Sequence, residues 1–369
     1  MKLDFLTLTH LRMPLVTAFE TSFGRITHRE CILLTLASEG LIGYGECVAD
    51  HDPGYSYETT GTAWHILQDF LAPLILGQNV PDAENYQHRV QGIRGHNLTK
   101  AGVEMAIWDL LGKRAGKSLR ELLGGERYQV EVGVSVGLQT SPEKLVQAVA
   151  DYVSQGYRRV KIKIKPGRDV DDTLAVHKAF PNLLLQVDAN SSYTLRTSEA
   201  LKPLDELELL LIEQPLYEDD IWDHRKLQAE FKTALCLDES IVTPRHARYA
   251  IEMDACRIIN IKPARLGGLS QGVAVHHLCK SHGMPVWCGG MLETGVGRAS
   301  NLALASLPGF TLPGDISASN RYYMRDITNE RFSLNADSTI DVPSAPGLGV
   351  TLDPSALKAF TLAETTLKP

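Results

Sequence analysis

The sequence predicts an α/β protein: a modified (β/α)8, TIM-like barrel with an α+β capping domain formed by the N-terminal segment and the C-terminal tail. Three observations carry that expectation. From Val130 onward, short apolar strands alternate with amphipathic helices. Within that stretch five charged residues, Lys163, Asp188, Glu213, Asp238 and Lys262, stand at steps of 25 (188−163), 25 (213−188), 25 (238−213) and 24 (262−238). A strand, a helix and two loops of such a barrel take roughly 25–30 residues, so this period puts one charged side chain at the C-terminal end of each of five consecutive strands. Third, β-rich text opens the chain and returns near its end.

The elements follow in order. CILLTLASEGLIGYGE, within the first 50 residues, reads as two strands around a glycine-containing turn. Helical periodicity takes over in TTGTAWHILQDFLAPLIL and again in LTKAGVEMAIWDLLGKRAG, which ends at Gly116. These form a capping domain over 1–128, closed by a turn at Gly124 and Gly125. The barrel takes 129–320, with strands near 131–136, 158–165, 183–188, 208–213, 234–238, 256–262, 284–289 and 310–315. The segment 321–369, including RFSLNADSTIDVP, is expected to return to the capping domain, so that both termini lie outside the barrel.

Side chains alternate between the faces of a strand, which tests where the charges point. In the second barrel strand Val160, Ile162 and Ile164 share one face, and Lys161, Lys163 and Lys165 the other. The apolar set belongs against the helix layer, so the lysines face the interior or the mouth. Likewise Gln186 shares a face with Asp188, and Asn260 with Lys262. Solvated charges at strand ends would explain any one of these residues. They do not explain five in register, each closing an apolar run.

Composition narrows the classes. The 369 residues are 44% hydrophobic and 22% charged, enough for a barrel plus a smaller domain. A net charge of −7 argues against nucleic acid, so an anionic substrate must be drawn in by local positive charge. Six cysteines without a C-x-x-C pair read as reduced, buried thiols. The opening MKLDFLTLTH does not read as a signal peptide, and no apolar run approaches the ~18 residues of a membrane span. A cytoplasmic enzyme with no membrane partner, assembled as a homo-oligomer, is expected.

Asp188, Glu213 and Asp238 offer only oxygen, the donor set of a hard divalent cation, Mg²⁺ or another such as Mn²⁺; with no His or Cys there, zinc is disfavoured. Lys163 and Lys262 belong to the second and sixth strands, four apart in a ring of eight and hence on opposite walls. A metal holding a substrate carboxylate stabilises the enediolate left when the α-proton departs. Two lysines on opposite faces can remove and return that proton, which racemises. One lysine and a departing group give elimination. A free lysine is mostly protonated at neutral pH, so the base needs a lowered pKa. Lys161, two residues before Lys163, and Arg265, three after Lys262, are candidate catalytic support through like-charge repulsion. For Arg265 a surface ion pair is the competing reading.

The segments KIKIK (161–165), QVDAN (186–190), IEQP (212–215), CLDES (236–240) and NIKPARLGG (260–268) are similar to those of the enolase superfamily, in its muconate-lactonizing-enzyme subgroup. PVWCGGMLETGVGRA (285–299) and LPGDISAS (312–319) resemble more narrowly the N-succinylamino acid racemase and o-succinylbenzoate synthase family. The resemblance covers essentially the whole chain. It implies Asp188, Glu213 and Asp238 as Mg²⁺ ligands, Lys163 and Lys262 as acid and base, and Ser135, Asn190, Gly290, Met291 and Leu292 as substrate-binding positions. PLVTAFETSFG (14–24) resembles the capping loop that closes the barrel mouth. Phe19 and Phe23 would there form an apolar wall that excludes water, with plain interface packing as the alternative.

In related dipeptide epimerases an Asp-x-Asp after the eighth strand binds the substrate amine. Here Asp315-Ile316-Ser317 lacks the second Asp, which favours an acylated, anionic carboxylate substrate. The resemblance therefore implies racemisation of N-succinyl (or other N-acyl) amino acids, synthesis of o-succinylbenzoate for menaquinone, or both. Dipeptide epimerase and muconate cycloisomerase are the alternatives. A non-catalytic scaffold on a degenerate barrel would have lost a lysine or carboxylate, and none is lost. His51 and the His276–His277 pair have no companion metal ligand at sensible spacing and read as surface or interface residues, strand parity turns the lysines of the basic RRVKIKIKPGR inward, and the glycines of GGMLETGVG are too loosely spaced for a dinucleotide loop.

Overall fold

The computed structural model describes residues 1–22 and 24–369. Strands β1 (Phe5–Thr21), β2 (Gly24–Ser38) and β3 (Leu41–Cys47) form an antiparallel meander. Against it lies the helix Asn97–Ala115, burying Leu98, Ala101, Ala106, Ile107 and Leu110. The approach is close because Gly45 has no side chain: a Cβ there would stand 2.0 Å from the carbonyl oxygen of Gly102. The helix ends at Gly116, in the left-handed conformation at φ 64°, as its sequence predicts. The other expected helix is divided into Thr60–Ile66, a π turn Leu67–Leu71 and Ala72–Ile75. Pro73 has no amide hydrogen to give the preceding turn, and the ladder widens there.

The strand expected near 131–136 is also divided. Strand β4 (Gln129–Glu131) turns away from the barrel, and only β5 (Val134–Val136) enters it. Next come β6 (Arg159–Lys163), β7 (Leu184–Asp188), β8 (Ile212–Glu213), β9 (Leu235–Leu237), β10 (Ile258–Ile261) and β11 (Val286–Cys288). They form one parallel sheet in the order β11-β10-β9-β8-β7-β6-β5. The eighth strand, expected at 310–315, forms no ladder. Phe310 bridges Val286 and Gly314 bridges Val132, both in parallel sense, and these two contacts close the ring. Pro313 cannot donate to a ladder; the Gly314 carbonyl accepts from the Gly133 amide at 2.8 Å and, like that of Pro313, also accepts from Arg159. Strand β12 (Thr339–Asp341) pairs with β4, and β13 (Thr361–Leu367) adds to the free edge of β1, carrying the tail onto the capping sheet.

The barrel core packs Val160, Ile162 and Ile164 at 0–1% exposure, while Lys161 and Lys163 alternate with them and are buried too. All six cysteines are free and buried. Among the described residues no helix is long and apolar enough to cross a membrane.

His224, in the helix Ile221–Glu230, is fully buried; its Nδ1 pairs with the Asp220 carbonyl and its Nε2 accepts from the Leu216 amide at 3.2 Å. Burial lowers its pKa to about 4. The unfolded chain binds this proton below about pH 6.5 and the folded chain does not, so stability falls as pH drops from there to about 4, by up to ~3 kcal/mol. Urea unfolding at pH 7 and pH 5 should show a smaller loss for His224→Gln than for the wild type. An equal loss in both proteins would assign the acid sensitivity elsewhere.

Candidate active site

Register brings the charged row together. Lys163 pairs with Asp188 across β6 and β7, Asp188 with Glu213 across β7 and β8, and Glu213 with Cys236 across β8 and β9. Asp238 follows two residues later on the same face, and Lys262 directly follows β10. At these strand ends the chain turns through left-handed positions: Asn190 at φ 43°, Ser191 at 61° and Gln214 at 37°. Local hydrogen bonds offset that strain. The Asn190 amide donates to Asp188 Oδ1 at 3.0 Å, and Gln214 Oε1 accepts from the Asp238 amide at 2.9 Å, tying one strand end to the next.

Buried ion pairs join the row. Lys163 Nζ lies 2.6 Å from Asp188 Oδ2 and donates to Asn190 Oδ1 at 2.8 Å. Lys262 Nζ lies 2.7 Å from Asp238 Oδ2, and Arg265 Nη1 pairs with Asp238 Oδ1. Arg265 is 4% exposed and also donates to the Ile241 carbonyl, so it is no surface pair. Lys161 sits among three carboxylates, 2.5 Å from Asp315, 2.7 Å from Glu213 and 3.2 Å from Asp188. Its surroundings are therefore mainly anionic, and although burial opposes the charge, Asp315 and Glu213 hold its pKa well above the usual lysine range. Burial likewise opposes ionisation of Asp238, but Lys262 and Arg265 outweigh it and its pKa lies below the ordinary range. Arg265 in turn lowers Lys262, the direction expected of it, although Asp238 leaves Lys262 raised overall.

A cavity of about 330 Å³ opens above this network. Its wall includes Phe19, Ser135, Lys161, Lys163, Asn190, Lys262, Gly290, Met291 and Leu292. Phe19 reaches it from β1, its ring centroid 6.0 Å from Lys163 Nζ. Of the segment 14–24, expected as a loop, residues 14–21 and Gly24 belong instead to strands β1 and β2, with a register shift between Pro14 and Phe19. Its tip touches the barrel where Ser22 Oγ donates to the Asn190 carbonyl at 3.3 Å. Phe23 lies outside the described residues. Ser135 Oγ is buried with no hydrogen-bond partner among the described residues.

Three oxygen-only side chains at adjacent strand ends suit a hard divalent cation. Burial first, then the charges of Asp188 and Asp238, push Glu213 well above the carboxylate range, a repulsion such an ion would relieve. Among the described residues no three His, Cys, Asp or Glu side chains are drawn close enough to hold an ion outright; the carboxylates turn to lysine and arginine. The donor set fits the ion.

Several functional positions escaped the sequence reading. Tyr55 reaches Asp238 and Lys262 from the bend that follows β3. Glu239 accepts from Asn190 Nδ2 at 3.0 Å, and its other oxygen is buried without a partner among the described residues. Gly289 makes room for the base: a Cβ there would stand 2.7 Å from Lys262 Cε and 2.3 Å from Asn260 Oδ1. Gly289→Ala should displace Lys262 and lower kcat about 100-fold with the fold intact, measured by turnover and circular dichroism; unchanged kcat would show that the site yields freely. His51 is half-exposed between Asp50 and Asp52, whereas His276, expected nearer the surface, is buried and stacked on Phe310 at 5.3 Å.

Barrel and cap together define a known class. Residues 6–124 match the mandelate racemase / muconate lactonizing enzyme N-terminal domain, and residues 144–356 the enolase C-terminal domain-like family; the chain belongs to this family, within the enolase superfamily. More particularly, it is 47% identical over 360 residues to an o-succinylbenzoate synthase of Geobacillus stearothermophilus, covering 97% of this chain and 96% of the relative. It is also 47% identical over 362 residues to an N-succinylamino acid racemase of Thermus thermophilus, covering 98% of each. A crystal structure of an enolase superfamily member from Listeria innocua superposes with a TM-score of 0.95 at 41% identity, covering 100% of this chain and 99% of that one.

Proposed function

We propose that the protein is a divalent-cation-dependent enzyme that removes the α-proton of a carboxylate, racemising N-succinyl (or other N-acyl) amino acids, forming o-succinylbenzoate, or both. The observation that carries this is the pair of buried lysines, Lys163 and Lys262, on the wall of one cavity, each against an end of the Asp188–Glu213–Asp238 row. A cation bound to these three carboxylates supplies the positive charge that holds the substrate carboxylate and offsets the charge developing on it.

The protein groups do the rest. Lys163, as the neutral amine, accepts the α-proton from one face while the C–H electron pair passes into the enediolate. Lys262, as the ammonium, delivers a proton to the opposite face and is left neutral; the reverse direction exchanges the roles. Asn190 aims Lys163, and Phe19 covers that wall against water. In the elimination one lysine takes the proton, the enediolate's electron pair expels the hydroxyl as its C–O bond breaks, and a lysine ammonium protonates it so that it leaves as water. Asp315 supports an acylated substrate, because its carboxylate is already held by Arg159 and Lys161 at 2.5 Å each and does not await an amine. Free, buried thiols fit a reducing compartment such as the cytoplasm.

Incubating N-succinyl-phenylalanine with the protein and Mg²⁺ in D₂O should exchange the α-proton and abolish optical rotation, and EDTA should stop both. No exchange with any acyl amino acid would remove the racemase. A flat ultraviolet trace with the cyclohexadiene precursor of o-succinylbenzoate would remove the synthase.

A further inference from the structure

The two lysines are held differently. Among the described residues, both polar contacts of Lys163, with Asp188 and Asn190, come from the barrel, and the capping domain adds only the Phe19 ring. Lys262 is gripped from the capping domain as well. Tyr55, in the bend between β3 and the helix Thr60–Ile66, places its ring centroid 4.6 Å from Lys262 Nζ, and its Oη accepts from that Nζ at 3.2 Å. The same hydroxyl donates to Asp238 Oδ1 at 3.0 Å, while Asp238 Oδ2 holds Lys262 at 2.7 Å. Lys262, Tyr55 and Asp238 thus form a closed triangle with one corner supplied by the cap.

We infer that Tyr55 is a positioning residue for Lys262 and not for Lys163, so that seating the capping domain aims one of the two acid–base groups while the other is set within the barrel. The consequence is stereochemical, and it rests on the proposed two-lysine chemistry. An enantiomer whose α-proton faces Lys163 loses that proton as before when Tyr55 is altered; what suffers is delivery of a proton from Lys262 Nζ to the opposite face. The intermediate then takes its proton back from Lys163, whose ammonium has exchanged with solvent. The opposite enantiomer depends on Lys262 for its first step and slows in every respect.

Tyr55→Phe keeps the ring and removes the hydroxyl. In D₂O with Mg²⁺ and each enantiomer of N-succinyl-phenylalanine, it should lower inversion about 10- to 100-fold, the worth of a hydrogen bond to a charged group. One enantiomer should still incorporate deuterium with retention at near the wild-type rate, and it should be the same enantiomer that still exchanges in Lys262→Ala. Equal losses of exchange for both enantiomers, or no loss for either, would overturn the inference. Absence of exchange in the wild type would count against the proposed function instead. A second readout is independent of turnover. In protein labelled with ¹³Cζ-tyrosine, the resonance missing from Tyr55→Phe should move in Lys262→Ala and stay in place in Lys163→Ala. A Tyr55 signal indifferent to Lys262 would overturn the contact itself.

Discussion

Asp315→Asn is expected to cost about 3–5 kcal/mol of folding stability, the range for removing one partner from a buried ion pair. Asp315 lies between Arg159 Nη1 and Lys161 Nζ, 2.5 Å from each, and joins the segment that closes the ring to β6. Arg159 is wholly buried and, among the described residues, pairs with no other carboxylate, whereas Lys161 keeps Glu213 and Asp188. The penalty is therefore mostly that of an uncompensated guanidinium. Burial opposes ionisation of Asp315, but Arg159 and Lys161 outweigh it and depress its pKa. Its contribution is thus complete above about pH 4 and fades only as the pH falls further. Urea denaturation at pH 7 measures the loss. The double variant Arg159→Met/Asp315→Leu should recover part of it, since an apolar pair leaves no stranded charge. A loss below about 1 kcal/mol for Asp315→Asn would mean that water already reaches the pair.

Lys163→Ala and Lys262→Ala should each lower racemisation of both enantiomers by at least about 10²–10⁴-fold, the usual worth of a positioned acid–base group. Each enantiomer needs one lysine to take its proton and the other to return one, so neither variant can spare an enantiomer. Folding should survive. Asp238 keeps Arg265 when Lys262 is removed, and Asp188 keeps Lys161 when Lys163 is removed. Turnover alongside thermal unfolding separates the two effects. A variant that racemised at the wild-type rate would break the two-lysine account.

What could be read from the sequence was what repeats. The steps between Lys163, Asp188, Glu213, Asp238 and Lys262 report the length of one βα unit, and alternation along β6 points Lys161 and Lys163 away from Val160 and Ile162. Contacts without a period were invisible. Tyr55 meets Lys262 across 207 positions and two domains, and Arg159 meets Asp315 across 156. Neither pairing leaves a trace in local spacing. The division of the first barrel strand at Val132–Gly133 and the weak closure at 310–315 depend on which neighbour meets each carbonyl, and that of Gly314 is shared between the Gly133 amide and Arg159. Lys161 shows the limit most clearly. Its nearness to Lys163 in sequence suggested repulsion, whereas folding surrounds it with Asp315, Glu213 and Asp188.

Lys163 and Lys262 are expected to serve opposite faces of one substrate. The most direct test is α-proton exchange of each pure enantiomer of N-succinyl-phenylalanine in D₂O, with Mg²⁺, by Lys163→Ala and Lys262→Ala. The account predicts mirror-image behaviour: each variant exchanges one enantiomer with retention and leaves the other untouched, and the two variants choose opposite enantiomers. Exchange of the same enantiomer by both variants, or of both enantiomers by either, would contradict it.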